Sequence, residues 1–264
     1  PNLTHLYFNF YVKFSHPLDN LPNSLKYLTL LHNYKHQLDL LPNSLTHLTL
    51  GDNYNEPINL LPNSLTHLTL GTNFTQSLEN LPPNLTHLTI GSNLQINNVL
   101  QNYNSITHLT FGYFFSQPVN NLPKNLTHLT FGKWFNQPVD NLPLTLKHLT
   151  FGDNFSQSVD NLPPTLTHLT FGDNFDKPVD NLPPTLTNLT FGRNFSQSVN
   201  NLPTQLINLT FGYRFNQPLD LLPVNLTHLT VGGYFSKYVE KLPKSIKEII
   251  VKHIIQIKLF SNKY

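Results

Sequence analysis

Histidine returns at His47, His67, His87, His108, His128, His148, His168 and His228, with His5 an earlier member of the same column. Imidazole changes charge near neutral pH and is a common metal ligand. Such a column could exchange protons, hold a metal or touch a partner. A structural metal wants about four convergent donors, usually with thiolate or carboxylate support. The chain has no cysteine, and no acid accompanies the histidines in their segments. We therefore expect no metal here and read the column as a stacked ladder, with Tyr27, Asn188, Asn208 and Glu248 replacing histidine in other copies. Neighbouring imidazolium charges about 5 Å apart repel by about 0.8 kcal/mol even in water. Folded-state histidine pKa values should fall accordingly.

Other chemistry is hard to find. There is no Gly-rich phosphate loop, no nucleophile elbow and no closely spaced histidine pair beside a glutamate. Asp140, Asp160, Asp180 and Asp220 share one position, where an aspartate is expected to bond its own backbone in a turn. No catalytic residue and no cofactor are expected, and the reading is non-enzymatic.

The second candidate set consists of residues that break a pattern. An Asn column holds Asn33, Asn53, Asn73, Asn93, Asn154, Asn174 and Asn194. Phe114, Trp134, Arg214 and Tyr234 interrupt it, and the position before it is equally free, with Tyr113, Lys133, Arg193 and Tyr213 among its occupants. Aromatic and Arg side chains are enriched at binding hot spots. Tyr113, Phe114, Lys133, Trp134, Arg193, Tyr213, Arg214 and Tyr234 are thus the candidate partner-binding residues.

What positions all of these is a sentence written again and again: "LPPTLTHLTFGDNFDKPVDN", from Leu162 to Asn181, has close copies on both sides. Leu-Pro recurs at Leu21, Leu41, Leu61 and Leu81, then from Leu122 to Leu242 in steps of twenty. Between them, "NYNSITHLT" takes the same role after a one-residue insertion near 95–101. Leu169-Thr170-Phe171 alternates as a short strand does, and Pro163 bars a helix interior. Leu162, Leu166, Leu169, Phe171, Phe175 and Val179 are apolar columns that no single turn can bury alone. The fold class predicted is a right-handed repeat solenoid, mainly β. It has about 12–13 turns of roughly 20 residues, and at about 4.8 Å per strand its length is roughly 60 Å. A parallel sheet should line one concave face, and loops or 3₁₀ turns the other. Histidine and the threonines of Thr49, Thr69 and their equivalents then face outward from the sheet. Gly51, Gly71 and the rest of their column mark a strand exit needing positive φ or close backbone approach. The Asn column is expected to satisfy backbone groups there.

"LTHLTLGDN" at Leu45 to Asn53 fits the leucine-rich-repeat pattern L-x-x-L-x-L-x-x-N. "FNQPVDNLP" at Phe135 to Pro143, joined to "LTHLTFG", resembles the FNIP repeat. That family is leucine-rich-repeat-like and occurs in social amoebae and giant viruses of amoebae. Its members often follow an F-box in ubiquitin-ligase adaptors, which implies a substrate-reading role for this chain. One departure stands out: the apolar residue after Asn, here Phe175 after Asn174, comes one position early. The loop side is expected to turn differently.

Composition narrows the function further. The 264 residues carry a net charge of +2, with 11% charged, too neutral for a general nucleic-acid binder. No apolar run reaches membrane-spanning length, so no membrane insertion is expected. Nine N-x-[ST] sequons follow from the repeat wording and are read as accidental. The organisation expected is one solenoid over 1–264. It comprises a partial first repeat over 1–20, repeats over 21–241 and a capping segment over 242–264, where Lys244, Lys247, Lys252 and Lys258 interrupt an apolar run. The chain starts at Pro1 without methionine, so a preceding segment is expected, and the uncapped first strand edge offers a route to self-association. The reading is a protein-interaction scaffold, cytoplasmic (host cytoplasm if viral). The alternative is a structural or surface component of a virion or cell.

Overall fold

In every copy from His47 to His228 the residue after histidine is a buried leucine and the next a half-buried threonine, an alternation that only an extended strand gives. A computed structural model describes residues 2–8, 16–31, 34–96, 98–237, 239 and 241–252. The chain forms two compact units, Pro1–Phe135 and Asn136–Tyr264.

The first unit holds β1 (His5–Phe8), β2 (Tyr27–Leu30), β3 (His47–Leu50), β4 (His67–Leu70), β5 (His87–Ile90), β6 (His108–Phe111) and β7 (His128–Thr130). Each pairs in parallel with the next, in chain order. Equivalent columns face each other: His67 pairs with His87, and His87 with His108 across the insertion. The extra residue is therefore absorbed outside the sheet, beside a 3₁₀ turn at Leu100–Asn102. There Tyr103 stands in place of the usual proline. Its hydroxyl accepts the N–H of Leu81 at 3.1 Å and reaches the carbonyls of Leu78 and Glu79. The step from His5 to Tyr27 is similarly long, and the residues responsible fall partly in 9–15, outside the described residues.

The second unit repeats the architecture with β8 (His148–Thr150), β9 (His168–Thr170), β10 (Asn188–Thr190), β11 (Asn208–Thr210), β12 (His228–Val231) and β13 (Glu248–Val251). All neighbours are again parallel and in register. Residues 242–252, where the sequence pattern decays, still supply a paired strand; 253–264, with Lys258, lie outside the described residues. Both units are thus solenoids of about twenty residues per turn, one strand to a turn. Among the described residues the only helical element is the 3₁₀ turn, and no helix is long and apolar enough to cross a membrane.

The core is a set of columns. Leu162, Leu166, Leu169, Phe171, Phe175 and Val179 are all buried, as are their equivalents in neighbouring turns. Phe171 and Phe175 stack within one turn, centroids 3.8 Å apart, and Phe175 meets Phe155 and Phe195 at 6.1 Å. These stacks fill each turn and join it to its neighbours, so stability is shared along the array.

The glycine column is explained by one of its two expected causes. No described glycine has positive φ. What excludes a side chain is approach of the preceding turn: a Cβ on Gly212 would overlap the carbonyl of Gly192.

Candidate functional site: a ring ladder and a non-repeating rim

Because consecutive strands are in register, the histidines must lie over one another. From His5 through Tyr27 to His128 the rings form an unbroken stack, with centroids 4.0 Å apart from His47 onward. In the second unit His148 and His168 stack at 4.2 Å. Asn188 and Asn208 then take the column, and His228 pairs in register with Asn208 and Glu248.

Except at His148, which follows Lys147, a threonine just before the ladder histidine orients its ring. Thr66 donates its hydroxyl to the carbonyl of Thr46 at 3.1 Å, and the same oxygen lies 2.9 Å from Nδ1 of His67. Thr46, Thr86 and Thr127 repeat the arrangement. With its proton committed to the carbonyl, the hydroxyl accepts from Nδ1–H. That fixes the neutral tautomer and leaves Nε2 as the acceptor. Parallel stacked rings do not converge on a point, and no group of three His, Asp or Glu among the described residues could hold a metal.

Burial holds the pKa of His47, His67, His87 and His108 below the usual imidazole value, and His87 is pushed down to about 4. Imidazolium charge elsewhere in the ladder, one or two turns away, adds a smaller push at His47, His67 and His87. The charge repulsion expected from the sequence is therefore the lesser cause. These histidines bind protons less readily folded than unfolded, so their contribution to stability is complete above the unfolded pKa of about 6.5. It is lost as pH falls from there towards 4. We expect a level melting temperature from pH 8 to 6.5 and a decline below. For His87 the loss should be about 1 kcal/mol, after discounting for solvent at this half-buried face, and His47, His67 and His108 add to it in the same direction. His67→Asn/His87→Asn should flatten the decline while the fold is kept, because Asn188 already occupies the column beside Thr187 at 2.9 Å. A titration of melting temperature checks this, and an unchanged slope in the variant would assign the decline to carboxylates.

The rim begins where the strand ends. Here the Asn column departs from expectation. Asn53, Asn73 and Asn174 are exposed, and the amides bond each other: Asn73 to Asn53, Asn174 to Asn154 and Asn194 to Asn174, each at 3.0 Å. Asn93, in the turn that carries the insertion, does accept a backbone N–H, from Ser116. Asn33 lies outside the described residues. The early arrival of the following aromatic explains the difference: Phe175 takes the inward position and turns Asn174 out. The column's backbone bond is independent of the side chain. Asn73, Trp134, Asn174, Arg214 and Tyr234 each donate their N–H to the turn before, at 2.8–3.0 Å. That is why the column tolerates such different residues.

The structure places the eight candidate rim residues in two groups, one in each unit. In the first, Tyr113 meets Phe114 edge-on at 4.8 Å, and Lys133 lies 5.6 Å from the Tyr113 ring. Trp134, in the same turn as Lys133, is 51% exposed, and Phe114 is 56% exposed. In the second, the Arg193 guanidinium lies 5.3 Å from the Tyr213 ring, and Tyr213 meets Tyr234 edge-on at 4.6 Å. Arg214 is exposed beside them.

Two features were missed in the sequence. The turn acids bond forward rather than to themselves: Asp140, Asp160 and Asp180 accept from the amides of Asn161, Asn181 and Asn201 at 3.0–3.1 Å. Asp160 keeps a local bond as well, from the Ser158 hydroxyl. A second ladder alternates over two turns. Asn55, Asn136, Asp176 and Asn216 accept the N–H of Thr75, Ser156, Ser196 and Ser236. Comparing columns at forty residues rather than twenty would have shown it.

The FNIP Repeat model matches nine segments between residues 14 and 253. Among curated proteins, none matches the chain in sequence. Among solved structures, the giant-virus protein CroV588, described as a novel circular LRR protein structure, is 45% identical with a TM-score of 0.87. The match covers 99% of this chain and 42% of CroV588, so the chain spans less than half the length of that relative. YopM from Yersinia enterocolitica (22% identity, TM-score 0.53, 88% of this chain and 56% of that one) shares the fold. So does an internalin from Listeria monocytogenes (19%, 0.51, 91% and 69%). With its stacked turns, its phenylalanine columns and its repeat wording all accounted for, the chain belongs to the FNIP repeat family, a leucine-rich-repeat-like solenoid.

Proposed function

We propose that the chain is a non-enzymatic scaffold that binds a protein partner through the non-repeating stretches of its rim. One observation carries this reading. The residues that break the repeat gather as exposed aromatic and cationic side chains, at positions where the scaffold's own hydrogen bond is made by the backbone. A partner can set its register on a repeat array only where the array stops repeating. Large exposed aromatics beside Lys or Arg are the anchors such a contact favours. The resemblance supports a finer reading, in which the partner is a substrate presented to a ubiquitin ligase by an F-box-type adaptor. Co-purification of the full-length protein with a ligase core checks that point. Recovery of the protein from purified virions instead would favour the structural alternative.

The test of the rim is Trp134→Ala. Capture from amoebal-cell lysate identifies a partner, and its affinity is then measured against both forms. Removing the largest aromatic anchor should weaken binding by about 1–2 kcal/mol or more. The melting temperature should stay within a few degrees, because half of the side chain is already in solvent. Unchanged affinity would move recognition to the His–Thr face.

A further inference from the structure

The second rim group borders a groove of about 350 Å³ that no single turn could make. Its floor is the bare backbone of Gly192, Gly212 and Gly232, and Gly233 widens it where other turns carry a side chain. Substituting Gly233 would bring a Cβ to 2.9 Å from Tyr213, so that glycine is what lets the tyrosine ring lie across the groove. Lys252 stands where the next glycine of the column would fall, and ends the floor. Arg193 stands beside the groove's other part, its guanidinium held over Tyr213. The groove's one acid is Asp173, which accepts the backbone N–H of Arg193 at 3.0 Å. Neither Arg193 nor Lys252 forms an ion pair among the described residues.

We propose that this groove takes an extended acidic segment of a protein partner, running across the turns, with two carboxylates four residues apart and an apolar residue midway. The proposal rests on the scaffold reading above. Charge complementarity chooses the sign: two cations with no ion pair among the described residues face one acid, whose Oδ1 already accepts a hydrogen bond. Spacing chooses the length. Arg193 and Lys252 are three turns apart, about 14 Å at one strand spacing per turn, and four residues of extended chain cover about 13 Å. Side chains four apart on such a segment point the same way, as does the one midway, which meets Tyr213 over the glycine floor. The carboxylates pair with the planar guanidinium of Arg193 and the ammonium of Lys252. Two cations are too few to hold a nucleic-acid backbone.

A random twelve-residue peptide library displayed on phage, selected in parallel on the full chain and on Arg193→Gln/Lys252→Gln, tests this. Both changes are on exposed side chains, and equal melting curves confirm that the variant is folded. The expected result is enrichment of peptides with acidic residues four apart around an apolar one, binding the parent chain at least tenfold more tightly than the variant. Binding should also weaken with added salt. No enrichment over the variant, or enrichment of neutral or basic peptides, overturns the proposal. If that happens while Trp134→Ala still weakens the captured partner, the groove assignment falls and the scaffold reading stands.

Discussion

Phe175→Ala should destabilise the protein by about 3–5 kcal/mol, the cost of truncating a buried phenylalanine that neighbours cannot replace. Phe175 is fully buried, stacks on Phe171 within its turn, and meets Phe155 and Phe195 in the turns on either side. The cavity would therefore open three turns at once, and in an array each turn draws its stability from its neighbours. Phe171→Leu makes the contrast. Leu50 and Leu70 fill the same column beside the aromatics Tyr54 and Phe74, so the array already shows that leucine packs there. That change should cost less than about 1.5 kcal/mol. Chemical denaturation of the two variants measures the difference. Equal losses would mean that the paired rings do not join the turns as described.

Gly212→Ala should cost about 3 kcal/mol, although it adds one methyl to a half-exposed position. The backbone there has ordinary φ, so alanine meets no conformational penalty. The obstacle is the carbonyl of Gly192, which is main chain and cannot rotate aside. Gly233→Ala meets the edge of the Tyr213 ring instead. A side chain can swing away, so this change should cost less than about 1 kcal/mol. Comparable losses for both would remove close turn-to-turn approach as the reason for the column.

Much of this architecture was legible because every structural need is restated in each copy. Period, strand position, inward columns, the histidine stack and the site of the insertion follow from aligning the chain with itself. The features that escaped are made between turns. Nothing in one copy tells whether Gly212 serves φ or approach, since the group it must avoid is the backbone of Gly192. Asn174 resembles the inward asparagine of a leucine-rich repeat. The early position of Phe175 was the visible sign that it would face out, but the amide ladder with Asn154 required the stacked turns. The rim residues were legible as exceptions to a pattern. The groove was not, because Arg193, Tyr213, Gly233 and Lys252 come from four successive turns and only their stacking lines them up.

The central claim is that the repeating residues build the scaffold while the non-repeating rim recognises a partner. Its most direct test restores the repeat. In the variant Phe114→Asn/Trp134→Asn/Arg214→Asn/Tyr234→Asn, each turn regains the residue that Asn73, Asn174 and Asn194 hold elsewhere. Partner affinity and melting temperature are measured side by side with the parent chain. The expected result is a melting temperature within a few degrees of the parent, since all four positions are exposed and Trp134, Arg214 and Tyr234 are bonded through their backbone, together with loss of partner binding by more than tenfold. A folded variant that binds the same partner with undiminished affinity would contradict the claim.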